Sequence, residues 1–185
     1  MARQVREVGV PEVDTYTYGI MCEKAGNQPE AMGLNAGNIY DAILQGNTAL
    51  DDAEAPETNR VLLVTPLIYA AMKKSEDITL ETDVGQEQRQ RGVIGMLDGC
   101  SVIKIPANRV PADFGFMIAH PSATVAPAKL EEYKVHIDPP GISGNLVEGR
   151  ICYDAFVLEN KRKGLYYQRV TPAVPALPAA KSAKK

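Results

Sequence analysis

The chain has no tryptophan, and its 185 residues hold only two histidines, three cysteines and three phenylalanines. Each scarcity removes a class of chemistry. Metal centres built on side chains want ligands at close spacing, such as His at i and i+4 or a CxxC pair. His120 and His136 have no such neighbour, so no metal site is expected. Cys22, Cys100 and Cys152 are odd in number and far apart, which excludes a zinc ribbon and a disulfide framework. They read as buried or half-buried thiols of a reducing compartment. No apolar run approaches the roughly 20 residues that a membrane helix needs. The first ten residues, MARQVREVGV, have basic residues but no apolar stretch, so they are not read as a signal peptide.

Nucleotide and hydrolase motifs are missing as well. There is no Walker phosphate loop, no Rossmann glycine fingerprint and no HExxH pair. Gly141-Ile-Ser-Gly144 is a glycine-rich turn, not a GxSxG nucleophile elbow. The nearest carboxylate cluster is Glu131, Glu132 and Asp138. Adjacent strand residues point to opposite faces, so Glu131 and Glu132 do not converge, and a solvated face is expected. No catalytic residue, cofactor site or metal site is therefore assigned.

Basic charge is in short supply. The formal net charge is −3, and the tail carries Lys181, Lys184 and Lys185 with no acid, so the remainder is more acidic still. Nucleic-acid binding draws on basic surface that releases counterions, and this body lacks it. Lys161-Arg162-Lys163 is the one compact basic run outside the tail and falls in an expected turn. Tyr16, Tyr18, Tyr166 and Tyr167 have no interleaved basic patch, so packing is expected of them rather than base stacking.

What is present is an ordinary globular composition, 45% hydrophobic and 23% charged. Val10-Pro11-Glu12 marks a helix start, with proline in the first turn and acids near the positive end, and Gly26-Asn27 marks its stop. A second helix is expected from Asn35, with Ile39, Ile43 and Leu50 on one stripe. Asp51, Asp52 and Glu54 stand at the end the helix dipole disfavours for acids, so fraying is expected there. Val61–Val64 is an apolar run suited to a strand buried on both faces, and Pro66 opens a short helix over Leu67–Lys73. Glu76–Arg91 is polar, of both charge signs and without period, which predicts an exposed loop or arm. Val93–Leu97 and Ser101–Ile105 flank Asp98-Gly99, a hairpin signal. Phe116–Ala119, Ala123–Ala126 and Tyr133–Ile137 are further strands, and Asp138-Pro-Pro-Gly141 breaks the chain. Arg150–Val157 alternates and is expected to pair with Gly164–Arg169. Thr171–Lys185, rich in Pro, Ala and Lys, cannot build a core and is expected to be disordered. The sum is α+β, with helices mainly early and strands mainly late.

Four segments in order, RVLLVTPLIYAAMKKS (60–75), RGVIGMLDGCSVIKIP (91–106), GFMIAHPSATVAPAKLEEY (115–133) and VEGRICYDAFVLENKRKGLYY (147–167), together resemble the C-terminal part of tailed-phage major capsid proteins of the Hong Kong 97-type fold. Val10-Pro-Glu-Val-Asp-Thr-Tyr16 resembles the family's segment after its long spine helix. The resemblance implies a P-domain formed by 1–27 and 116–170, an A-domain formed by 28–115, and a tail at 171–185. It implies a portion lacking the N-arm, the E-loop and most of the spine helix. It also implies a structural, non-enzymatic subunit that self-assembles into an icosahedral shell around DNA. Such a subunit is assembled in the host cytoplasm and resides in the virion. Its partners would be its own copies, with scaffold and portal proteins, and neither a membrane nor a specific nucleic-acid sequence. The alternatives are a non-capsid shell or virion accessory protein on the same fold, and a small acid–base enzyme. The expected subunit contact is Glu76, Asp77, Glu81, Asp83, Glu87, Arg89 and Arg91, since shell subunits meet through repeated heterologous edges.

Overall fold

A computed structural model describes residues 2–75, 78, 93–137, 139–141 and 143–171. Helical backbone runs from Ala2 to Lys24 as α1 (Ala2–Gln4), a π-helical stretch (Val5–Gly9) and α2 (Val10–Lys24). The helix therefore begins earlier than Val10-Pro11 suggested. Proline has no N–H to give to a preceding carbonyl. The chain accommodates it by widening the turn just ahead, where the Val10 N–H bonds to the Val5 carbonyl instead of continuing the α pattern. Gly9, at φ −63° and ψ −51°, stays helical.

α3 spans Ile39–Asp52 and buries Ile39, Ala42, Ile43, Gly46 and Leu50, one stripe at helical spacing. It starts later than Asn35 because side chains there hold a turn. The Asn35 N–H donates to Asn38 Oδ1 at 2.8 Å, and the Gly37 N–H donates to Asn35 Oδ1 at 2.9 Å. Its far end runs through Asp52. The buried Arg60 guanidinium holds Asp51 Oδ1 at 2.7 Å and offsets the dipole penalty, and Glu54, at φ 55°, turns the chain away. α4 (Pro66–Lys74) has Thr65 as its N-cap, Pro66 in the first turn and two lysines in the last.

Among the described residues, five strands form one sheet in the order β2 (Val93–Leu97), β3 (Cys100–Lys104), β1 (Val61–Val64), β4 (Phe114–Ala119), β9 (Leu165–Arg169). β1 runs parallel to β3, and every other pairing is antiparallel. The β2–β3 turn is Asp98-Gly99 with both φ positive, as the hairpin signal predicted. β4 is buried along its whole length. Gly115 sits in it at a register shift against β9. A Cβ there would lie 2.8 Å from the Gln168 carbonyl oxygen, so the close approach requires glycine.

The sheet is covered on both faces. Ile39, Ile43, Leu50, Ile68 and Met72 of α3 and α4 pack with Leu62, Val64, Val102, Phe116 and Ile118. On the other face Met21, Cys22 and Ala25 pack with Leu63, Met117, Leu165 and Tyr167. β1 divides its side chains between the two cores, which is why its sequence is uniformly apolar. The expected division of the chain at 115/116 cuts through β4, leaving β1, β2 and β3 on one side and Phe116–Ala119 with β9 on the other, within this single sheet.

One expected pairing is overturned. β7 (Asn145–Tyr153) pairs with β6 (Ala128–Ile137), and β8 (Phe156–Val157) pairs with β5 (Thr124–Val125). β9 pairs with β4 instead. Alternation states which face is apolar but not which strand lies alongside. Leu165–Gln168 is buried throughout and belongs inside a sheet, and the 150–157 run is interrupted where Asp154 Oδ1 accepts from the Ala155 N–H at 2.8 Å.

Candidate functional site

The residues that could carry chemistry are dispersed. His120 Nδ1 lies 2.7 Å from Ser122 Oγ and accepts the Ser122 N–H at 3.2 Å, which closes a short 3-10 turn. His136 stands on the β6–β7 hairpin with Nε2 3.2 Å from Glu148 Oε2. Among the described residues no group of three His, Cys, Asp or Glu side chains is close enough to hold a metal ion. Asp138 and the Glu131 side chain lie outside the described residues. Cys22 and Cys100 are buried, and burial pushes their thiols up to about 12 and about 11, so neither is a ready nucleophile. Burial also raises the Tyr167 phenol, with Cys22 and Asp113 adding to it.

The expected contact residues Glu76, Asp77, Glu81, Asp83, Glu87, Arg89 and Arg91 all lie outside the described residues, as does the tail beyond Thr171.

The most unusual surface is the β6–β7 hairpin. It pairs over nine positions, with Val135 opposite Val147 and Ile137 opposite Asn145. Period-two geometry sorts its side chains. One face carries Glu132, Lys134, His136, Glu148 and Arg150, joined by Lys134–Glu132 at 3.2 Å and Arg150–Glu132 at 3.8 Å. The other carries Val135 (55% exposed), Ile137 (79%) and Val147 (54%), and nearer the body Ile151. The base of the hairpin is fastened to α2. Tyr16 and Tyr153 meet edge to face at 5.6 Å, and the Tyr16 hydroxyl donates to Asp154 Oδ1 at 3.0 Å. Between the hairpin and the first helix lies an open groove of about 490 Å³ lined by Val5, Val8, Val147 and Ile151. Among the described residues no third strand or helix covers the outer apolar face. An isolated two-stranded hairpin is marginal in water, and this one exposes apolar side chains on one face.

Three solved structures share the overall fold of this chain. The capsid structure of the cyanophage P-SCSP1u superposes with a TM-score of 0.70 at 11% identity, over 93% of this chain and 65% of that one. The mature capsid of bacteriophage PhiM1 gives 0.66 at 17% identity, over 93% and 65%. The fold is that of phage capsid proteins. A structure from Mycobacterium phage Che8 gives 0.66 at 16% identity, over 90% of this chain and 61% of that one. The chain thus spans less than two thirds of the length of these capsid-fold chains. No family model matches the sequence, and no curated protein is recognisably similar to it. At such identity the fold rests on topology and on the two-sided core.

The hairpin face was missed as a candidate surface. Its signal was present in Lys134-Val-His-Ile137, where polar and apolar residues alternate beside the Pro-Pro break. The alternation reads only as a strand, because burial depends on partners that the local pattern does not name.

Proposed function

We propose that this chain is the structural part of a phage major capsid protein, which assembles with copies of itself into the shell of the virion. The observation that carries this reading is the shared capsid fold over nine tenths of the chain. The exposed apolar face of the β6–β7 hairpin supports it, since a lone subunit has no use for Val135, Ile137 and Val147 in water. An acidic net charge suits a wall that does not adhere to packaged DNA. In this reading 28–115 forms the axial part and 1–27 with 116–170 the peripheral part. Glu76–Arg91 supplies part of the contact around the axes, its mixed charges setting register more than affinity. Scaffold and portal proteins are further partners on the same reasoning.

The test is electron microscopy of the full-length gene product. Closed shells are expected from the natural protein, and fewer from Arg89→Glu with Arg91→Glu in a folded subunit. A monodisperse monomer under all assembly conditions would overturn the reading. Normal shells from the double variant would remove Glu76–Arg91 from the contact.

A further inference from the structure

The outer edge of β7 is complementary to itself. Among the described residues β7 has β6 on one side and no strand on the other. Its register against β6 runs from Asn145 to Cys152 without a shift. From β7 the groove beside the first helix is lined by Val147, Gly149 and Ile151, all of one parity. The helix therefore stands over the apolar face and not alongside the edge. Sheet edges are commonly protected by proline, lysine or a bulge. The β7 sequence, NLVEGRICY, contains neither proline nor lysine. β6 carries Lys129 and Lys134 and is followed by Pro139-Pro140, so the protected edge is the other one.

Take an antiparallel pair of β7 strands about a two-fold axis at Gly149. Residues equally far from Gly149 then stand opposite each other. Glu148 faces the second copy's Arg150, and Arg150 faces its Glu148. On the other face Val147 and Ile151 meet in the same reciprocal way, with no side chain at the axis itself. Opposite charges and apolar β-branched side chains set directly across from one another both stabilise a strand pair. Glu148 and Arg150 are 68% and 71% exposed, and in their own hairpin they reach only His136 at 3.2 Å and Glu132 at 3.8 Å. Moving the axis by one residue sets Glu148 against Glu148 or Arg150 against Arg150. Moving it by half a residue sets the polar face against the apolar one. The sequence thus favours a single register.

We propose that β7 pairs antiparallel with β7 of a second copy about a two-fold axis at Gly149, joining two hairpins into one four-stranded sheet. The contact is isologous, so each copy supplies the same edge. It removes the marginal stability of a two-stranded ribbon and unites Val135, Ile137 and Val147 of both copies on one face. It needs only two copies and does not rest on the capsid reading.

Disulfide exchange between two variants of the full chain tests it. Both carry Cys152→Ser, which removes the exposed thiol, and Cys22 and Cys100 are buried. One variant adds Glu148→Cys and the other Arg150→Cys, both at exposed positions, and circular dichroism checks that each is folded. They are mixed in equal amounts in a glutathione buffer at high salt, which screens the long-range attraction between the oppositely altered chains. The proposed axis sets position 148 of one variant directly against position 150 of the other and keeps one Glu148–Arg150 pair intact. Like positions are offset by about 7 Å along the strand. A disulfide needs its Cα atoms within about 7 Å, so mixed dimers should exceed either like-with-like dimer by at least about ten-fold, against roughly two-fold for random encounter. Mass spectrometry counts the three species. A two-fold excess, or no disulfide-linked dimer at all, would overturn the proposal. So would equal trapping by Glu132→Cys with Arg150→Cys, which would assign the contact to the polar faces of the hairpins and not to their edges.

Discussion

Gly26 lies so close to Arg162 that a Cβ on it would stand 2.6 Å from the Arg162 carbonyl carbon, while its N–H donates to the Arg162 carbonyl at 2.9 Å. Two backbones far apart in sequence touch here with no side chain between them. The contact begins a seam. Asn27 Nδ2 donates to the Lys163 carbonyl at 2.7 Å, and Asn27 and Met32 bridge to Tyr166 and Val170 along the outer side of β9. Gln28 Nε2 turns back to the Cys22, Glu23 and Ala25 carbonyls and closes the end of α2.

Gly26→Ala is expected to destabilise the fold by about 1–3 kcal/mol, because backbone cannot yield as a flexible side chain can. Urea unfolding monitored by circular dichroism measures it. An unchanged midpoint would show that the two backbones separate freely.

Arg60 is 4% exposed and donates to Asp51 Oδ1 and the Ala55 carbonyl at 2.7 Å and to the Pro56 carbonyl at 3.0 Å. Arg60→Met is expected to cost about 1–3 kcal/mol, since it removes the charged hydrogen bonds that the buried guanidinium makes to Asp51, Ala55 and Pro56. Arg60→Lys should recover only part of the loss, because one ammonium cannot reproduce the planar fork. Thermal melts of the three proteins side by side decide this.

Cysteine reactivity should separate the three thiols. With iodoacetamide at pH 8, native protein is expected to take one label, at the exposed Cys152, and unfolded protein three, counted by mass spectrometry. The same burial sets a pH trend. Cys22 is raised from 9.0 to about 12, so between those values the folded state holds a proton that the unfolded state has lost. Its contribution is complete below pH 9 and disappears as pH climbs through about 12. Tyr167, raised by burial, acts with the same sign. The urea midpoint should fall over this range, and less steeply in Cys22→Ala.

The hairpin's apolar face should matter to association and not to folding. Ile137→Thr with Val147→Thr is expected to change subunit stability by less than about 0.5 kcal/mol, because both side chains already meet water. The same pair in the full-length product should lower the yield of closed shells seen by electron microscopy. Loss of stability without loss of assembly would reverse the assignment.

Much of the fold was legible because local signals agreed with it. Val61–Val64 had to be buried on both faces, Asp98-Gly99 had to turn, and Ile39, Ile43 and Leu50 had to share a stripe. The failures came where local pattern leaves the partner open. Strand 150–153 alternates as well against β6 as it would against β9, and the long-range seam from Gly26 to Met32 has no local signature at all. Pro11 marked a helix start by composition, yet a widened turn let the helix pass through it. That the hairpin's apolar face is exposed has no local signature for a related reason: an exposed valine and a buried one look alike in sequence.

The seam along β9 also imposes an order on synthesis. Residues 26–32 are made long before the strand they line. Until Leu165–Arg169 emerges, β4 has an unpaired side, and β4 is buried along its whole length in the finished fold. A chain cut before Leu165 would therefore present Phe114–Ala119 as an open template for another chain's strand. Chains cut before Leu165 should form insoluble aggregates rather than shortened, soluble subunits.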